Sequence, residues 1–317
     1  MHLIGSLRGE APGPTVVAIG GMHGNEPSGL EAVQTIMSAL EERLPELRGE
    51  FVGVVGNLRA LSEGKRYIDS DLNRMWKFRP DLRTLAEPAP VYERIEMAAL
   101  DDLIEQIVAR RRGPMIFLDL HTTSSISAPF VICGDTLRNR EFVQDFPLPK
   151  VLGLDEQLNG PFLSYLNTLG HLTLIHEAGE HTSPESYLNH LAKAKMLSPA
   201  QLPEVEPARK RLLDQAGQDL QGFFEVRRRH AIHPNDRFRM RPGYANFQPI
   251  AAGEHLASNR HGNVTAQIKG RIFMPLYQSQ GDDGNFIVSK LPDRRVRRSV
   301  YLRRMRFQRY LPLFPGI

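Results

Sequence analysis

From residue 15 to residue 177 short apolar runs alternate with amphipathic stretches, and few architectures accommodate that order. Residues 15–21 (TVVAIGG) are a short apolar run closed by glycines, the pattern of a buried strand. A helix follows. Pro27 stands near its start, where a missing N–H costs nothing, and Leu30, Val33, Ile36, Leu40 and Leu44 recur at helical spacing. Residues 51–56 (FVGVVG) and 115–120 (MIFLDL) predict two more strands, with an amphipathic helix over 93–112 between them. Residues 130–133 (FVIC) and 172–175 (LTLI) predict another pair. Strands separated by helices imply an α/β domain with a mainly parallel sheet, whose carboxyl edge is where sites form.

Past residue 228 the pattern changes. A helix is expected to end around residues 227–229, three arginines, and short β-like pieces follow at 246–250, 263–268 and 270–274. Pro-Gly at 242–243, Ala-Gly at 252–253 and Gly-Asp-Asp-Gly at 281–284 supply turn chemistry between them. The expected division is therefore an α/β catalytic domain over 1–228 and a smaller β domain with a basic tail over 229–317.

Hydrophobic residues are 41% and charged residues 24%, the balance of a soluble globule with a sizeable core. No apolar run approaches the roughly 20 residues of a membrane helix, and the N-terminus lacks the order of a secretory signal. Cys133 is the sole cysteine, so no internal disulfide forms, and a cytoplasmic location is expected. Eight arginines between Arg294 and Arg309 exceed the whole net charge of +4. Such a tail can bind nucleic acid or anionic lipid, but Val296, Val300, Leu302 and Phe307 are interleaved and suit packing on the body. With no nucleic-acid fold signature beside it, neither a nucleic-acid nor a membrane partner is expected. Assembly of several copies stays open.

Three clusters carry chemistry. His23 and Glu26 lie three residues apart in the turn leaving the first strand, and imidazole nitrogen with carboxylate oxygen suits Zn²⁺. His121 ends the 115–120 strand at the same sheet edge, and Asp119, two residues earlier on that face, can orient it. Glu177 closes the strand at 172–175, where a carboxylate beside zinc and water suits a general base. His176, expected on the opposite face, and His181, beyond a turn, rank below His121 as ligands. The third cluster is the run 66–74 (RYIDSDLNR), in which an arginine can grip a carboxylate or an oxyanion. Its D-x-D-x-N pattern lacks the glycine and distal glutamate of a calcium loop.

These residues resemble the succinylglutamate desuccinylase/aspartoacylase family, a branch of the zinc-carboxypeptidase-like hydrolases. The likeness rests on residues 21–26 (GMHGNE), 66–74 (RYIDSDLNR), 119–121 (DLH) and 177–179 (EAG), in the family's order. It implies a carboxypeptidase-like α/β domain with a C-terminal β domain that narrows access to the site. It also implies one zinc per chain held by His23, Glu26 and His121, with Glu177 as general base and Arg66 polarising the amide carbonyl. Asn73 and Arg74 would bind the carboxylate of a small N-acyl amino acid. Where aspartoacylase grips a second carboxylate with an arginine, ten positions before the base, this chain has Asn167. The tyrosine that completes that pocket is also missing, with Tyr277 and Tyr244 as candidate replacements. Zinc-dependent deacylation of N-acyl amino acids is the leading expectation. The alternatives are a metallocarboxypeptidase acting on peptides, against which the short interval from Glu26 to His121 argues, and a binding or regulatory module working through the basic tail.

Overall fold

The computed structural model describes residues 1–76, 92–158, 160–197, 205–296 and 298. The chain opens with β1 (Leu3–Arg8), β2 (Ala11–Gly20), α1 (Ser28–Glu41), β3 (Arg48–Val55) and α2 (Leu58–Glu63). Then come α3 (Tyr92–Ala109), β4 (Met115–Thr123), β5 (Phe130–Ile132), α4 (Leu137–Val143), β6 (Pro149–Leu152), α5 (Phe162–Thr168) and β7 (Leu172–Glu180). Two helices, α6 (Pro184–Leu197) and α7 (Val205–Ala216), lead to β8 (Gly222–Ala231). Six short strands end the series: β9 (Arg239–Met240), β10 (Pro249–Ile250), β11 (His255–Asn259), β12 (Gly262–Thr265), β13 (Gly270–Phe273) and β14 (Asp283–Lys290).

Eleven strands form one sheet in the order β1-β3-β2-β4-β7-β5-β6-β8-β14-β13-β10, and β12-β11-β9 form a second sheet of three. Pairing is parallel across β3, β2, β4 and β7 and again across β5, β6 and β8. β5 meets β7 antiparallel, as do β1 with β3 and the later strands among themselves. The expected α/β architecture, a mainly parallel mixed sheet flanked by helices, is present. Alternation along β2 explains why both faces need cover. Val16 and Ala18 pack with Val33 and Ile36 of α1, Ala192 of α6 and Leu212 of α7. Val17 and Ile19 point the other way, into Leu100 and Ile104 of α3 and Phe162 and Leu166 of α5. Among the described residues no helix is long and apolar enough to cross a membrane.

The helix expected to end at residues 227–229 stops instead at Ala216. Gly217 follows at φ 74°, a left-handed conformation that ends a helix cheaply. The three arginines lie on β8, where Arg229 donates from Nε to Asp283 Oδ1 of β14 at 2.5 Å. Residue 228 thus falls inside β8, and the main sheet continues past it into β14, β13 and β10. An aromatic cluster of Phe130, Phe224, Phe247, Phe273 and Phe286 fills that junction. Near the C-terminus Val296 is buried against Cys133, Val143, Leu152 and Phe223. Of the arginine cluster, Arg294, Arg295 and Arg298 are described, and the others lie outside the described residues.

Phe273 touches the rings of Phe130, Phe247 and Phe286, so it joins strands on both sides of residue 228. Phe273→Ala is expected to destabilise the fold by about 3–5 kcal/mol, the usual scale for an emptied phenylalanine site. Denaturant unfolding followed by far-ultraviolet dichroism checks this, and a loss below about 1 kcal/mol would mean that the junction is not packed as described.

Candidate metal centre and active site

The loop after β2 is shaped by two glycines. Gly21 adopts φ 71°, and a Cβ on Gly24 would fall 2.0 Å from the carbonyl carbon of Ala60 in α2. Only glycine lets the backbone pass this close, and the passage turns His23 and Glu26 inward. The parallel register of β4 and β7 does the rest, setting His121 beside Glu177 at the carboxyl edge. All four side chains are buried.

Glu26 stands between the two imidazoles. Its Oε1 lies 3.0 Å from His23 Nδ1, and its Oε2 lies 3.1 Å from His121 Nδ1. The Thr122 amide donates to the same Oε2 at 2.8 Å. Each histidine turns its other nitrogen to a carboxylate: His23 Nε2 is 3.2 Å from Asp71 Oδ1, and His121 Nε2 is 2.8 Å from Asp119 Oδ2. A carboxylate on Nε2 fixes the proton there and leaves the Nδ1 lone pair for a ligand. Ligand atoms of His23, Glu26 and His121 all lie within 4.8 Å of one another, a set that could hold a metal ion.

The surrounding charges fit a dication. Four buried carboxyl groups, on Glu26, Asp71, Asp119 and Glu177, gather around Arg66, and among the described residues Arg74 is the other arginine lining the cleft. Arg66 donates to Asp71 Oδ2 at 2.9 Å and stands 3.7 Å from Glu26 Oε1. Burial pushes the Glu26 carboxyl up, but the two imidazoles outweigh it and hold the group well below the usual carboxylate range. Burial likewise disfavours a charged His121, yet Asp119 and Glu26 overcome it and raise the imidazole well above its ordinary value. Glu177 lacks such a partner. Burial drives its carboxyl up to about 8, with Glu26 and Asp119 adding to the shift against His121 and Arg66. Its Oε2 is buried and without a partner.

The run 66–74 is held by Glu93 of α3. Its carboxylate accepts from the amides of Ile68, Asp69 and Ser70 at 2.7, 3.1 and 3.2 Å and from Asn57 Nδ2 at 3.1 Å. Neither Glu93 nor the orienting role of Asp71 is evident from the sequence, where Glu93 is only an acid at the start of an amphipathic helix; its complete burial is seen in the structure. Arg74 and Asn73 both line the cleft beside the metal set. Asn73 Oδ1 is occupied by the Phe162 amide at 2.9 Å, leaving its amide nitrogen to face a ligand. Arg74 donates to Asp283 Oδ2 at 3.3 Å and to the Asn73 carbonyl at 3.0 Å.

His176 packs away from this cleft, 3.1 Å from His190, whereas His181 lines it. Asn167 does not line the cleft either; its Oδ1 accepts from Arg138 at 2.8 Å and from Asn139 at 3.1 Å. Tyr277 and Tyr244, the two candidate tyrosines, hydrogen-bond to each other's segments and are likewise absent from the lining. From the same C-terminal segment, Met274, Pro275, Leu276 and Gln278 form part of the wall.

Residues 12–201 match the succinylglutamate desuccinylase/aspartoacylase catalytic domain. The chain belongs to that family. A succinylglutamate desuccinylase from Burkholderia pseudomallei (strain 1710b) is 31% identical over 124 residues, which are 38% of this chain and 35% of that protein. A probable aspartoacylase from Nostoc sp. is 28% identical over 166 residues, 49% of this chain and 52% of its own length. The matched stretch thus spans about a third of the first relative and about half of the second. In fold, the chain is similar to the succinylglutamate desuccinylase of Chromobacterium violaceum, with TM-score 0.63 at 19% identity over 90% of this chain and 88% of that one. Murine aminoacylase 3 gives 0.55 at 18% identity over 89% and 96%.

Against the effect of burial, Asp119 and Glu26 raise the His121 imidazole well above its ordinary value, so a metal ion taken up by this set would compete with a proton on it. Binding of a divalent ion is expected to release about one proton, with an apparent affinity that rises with pH while His121 is protonated. Calorimetric titration in buffers of different ionisation enthalpy reads this directly. An affinity flat in pH from 6 to 8 would contradict the arrangement described at His121.

Proposed function

We propose that this chain is a zinc-dependent amidohydrolase that deacylates a small N-acyl amino acid or a similar carboxylate-bearing amide. The observation that carries the reading is the pair of histidine Nδ1 atoms flanking Glu26, each ring held from behind by a carboxylate, with Glu177 in register beside them. His23, Glu26 and His121 would hold the metal, about one ion per chain. Zinc bound there supplies Lewis acidity, which acidifies water and polarises a carbonyl. Three protein ligands from nitrogen and carboxylate match the set that leaves a catalytic position open.

The remaining steps belong to the chain's own groups. Glu177 takes the proton of the attacking water at Oε2 and later passes it to the leaving amine. Burial suits it to this task, because a carboxyl pushed upward is a stronger base once charged. Arg66, already aligned by Asp71, donates toward the carbonyl oxygen as negative charge grows there. Arg74 and the free amide of Asn73 orient the carboxylate of the amino-acid half; two of the five guanidinium N–H groups are taken, and three remain. The family's named members support amide hydrolysis of acylated amino acids as the reaction class. The segment after residue 229 would act as the wall that limits what enters.

Glu177→Gln is expected to lower kcat by about two to four orders of magnitude, the usual scale of a lost general base. Zinc content should stay at that of the parent, since Glu177 is not among the ligands. Amine release from N-acetyl, N-formyl and N-succinyl amino acids measures the first and metal analysis the second. Turnover within about threefold of the parent would remove Glu177 from the role.

A further inference from the structure

The cleft does not stop at the metal set. Away from it the walls are apolar, with Ile132, Leu154, Leu158, Leu163, Ile175 and Phe286 among the lining residues. Cys133 lines the same part, and burial pushes its thiol upward, so it adds a neutral surface. Asp155, three residues past the end of β6, brings a carboxylate into this part of the wall, while the lining carboxylates Asp282 and Asp283 come from the C-terminal segment. Asp155 Oδ1 is buried and has no hydrogen-bond partner. Gly134 makes the space for it, since a Cβ there would lie 3.1 Å from Asp155 Oδ2 and 2.7 Å from Asn167 Nδ2.

Among the described residues no cation is paired with this carboxylate. Burial drives its carboxyl up to about 6, with the negative charges of Glu156 and Asp135 adding to the shift against hydrogen bonds from the Asp155 and Glu156 amides. Arg140 is spoken for by Asp135 at 2.5 Å. Among the described residues the cleft is lined by two arginines, Arg66 and Arg74, and each already meets a carboxylate, Asp71 at 2.9 Å and Asp283 at 3.3 Å. A carboxylate without a cationic partner in an apolar wall is costly on its own and gains most from an arriving donor that carries positive charge.

We infer that Asp155 selects the distal end of the substrate, and that the cleft takes N-acyl amino acids whose acyl or amine half ends, beyond an apolar chain, in a protonated amine. This rests on the deacylase reading given above and adds the substrate class to it. A second carboxylate at that end would meet Asp155 with like charge, and a plain alkyl end would leave its carboxylate without a cationic partner. The amine-ended compound alone supplies a charge-assisted hydrogen bond there.

Two matched sets of substrates test it on the zinc-loaded full chain. In one, the amine half varies: Nα-acetyl-lysine, Nα-acetyl-norleucine and Nα-acetyl-α-aminoadipate. In the other, the acyl half varies: ω-aminohexanoyl-glycine, hexanoyl-glycine and adipoyl-glycine. In one of the sets the amine-ended member is expected to exceed the neutral one in kcat/KM by about tenfold or more, and Asp155→Asn to bring that ratio near one. A parent enzyme without preference, one preferring the acid-ended member, or an Asp155→Asn ratio equal to the parent's would overturn the inference while leaving the deacylase reading standing. Hydrolysis of no member would count against that reading, and binding then decides the inference separately. Calorimetric titration with hexylamine, hexanol and hexanoate should favour hexylamine in the parent, by a margin that Asp155→Asn abolishes. Equal hexylamine affinity in the two proteins would overturn it.

Discussion

Glu26 is a buried carboxylate whose two oxygens each face an imidazole, and the rest of the site is arranged around keeping it there. An isolated carboxylate at this depth would take up a proton rather than stay charged. Here two imidazoles, the Thr122 amide and the nearby Arg66 hold it ionised, so its charge survives burial. The requirement reaches back into the fold. His23 can reach Glu26 only because the loop squeezes past α2 on Gly24, and His121 only because β4 lies beside β2 in parallel register. Changing either the loop glycine or the register would leave a buried charge without partners, which is among the more expensive defects a core can carry.

Outer groups extend the same logic. Asp71 serves two ends, with one oxygen on His23 and the other on Arg66, and so links the first ligand to the residue proposed to meet the carbonyl oxygen. Its position depends in turn on Glu93, which gathers three successive amides of the 66–74 run. A residue on α3, far from the metal set in sequence, therefore fixes where the guanidinium points. Such a network is rigid only when every member is satisfied. Among the described residues the buried carboxyl oxygens left without a partner are on Asp119, behind His121, and on Asp155 and Glu177, which line the cleft.

Much of this was legible in the sequence. The strands β2, β3, β4 and β7 are continuous apolar runs closed by glycine, histidine or glutamate, and parallel burial leaves that trace undisturbed. The candidate metal set was legible because each member sits at or just past the end of such a run. Half-buried strands were harder: β1 carries Ser6 and Arg8 within its six residues, and no alternation separates it from a surface loop. β14 was masked by its own start, since Gly-Asp-Asp-Gly at 281–284 has the chemistry of a turn while Asp283 already pairs with Ala231 of β8. The arginines of β8 misled for a related reason. Three successive basic residues suggest a helix end, but Arg229 is drawn into the sheet by Asp283, a partner more than fifty positions away that no local pattern reveals.

That long-range pairing also explains why substrate range is harder to read than reaction class. The metal set and Glu177 lie within the stretch that matches the family's catalytic domain, whereas much of the wall opposite them comes from residues 274–286. Gln278 ties the two together: its Oε1 accepts from Asn25 Nδ2 and His181 Nε2, both at 3.1 Å. His181 Nδ1 in turn lies 2.7 Å from Thr122 Oγ1, and Thr122 donates its amide to Glu26. Met274, at φ 48°, is pinned by its amide to Asn246 Oδ1 at 2.5 Å, so this wall is set by backbone geometry as well as by side chains. Substitutions in the C-terminal segment can therefore reshape the cleft without touching a ligand, while the hydrogen-bond chain through Gln278 and His181 limits how far that wall can drift from the metal set. The candidate metal set and the wall formed by residues 274–286 thus come from different parts of the chain, joined through β8 and β14.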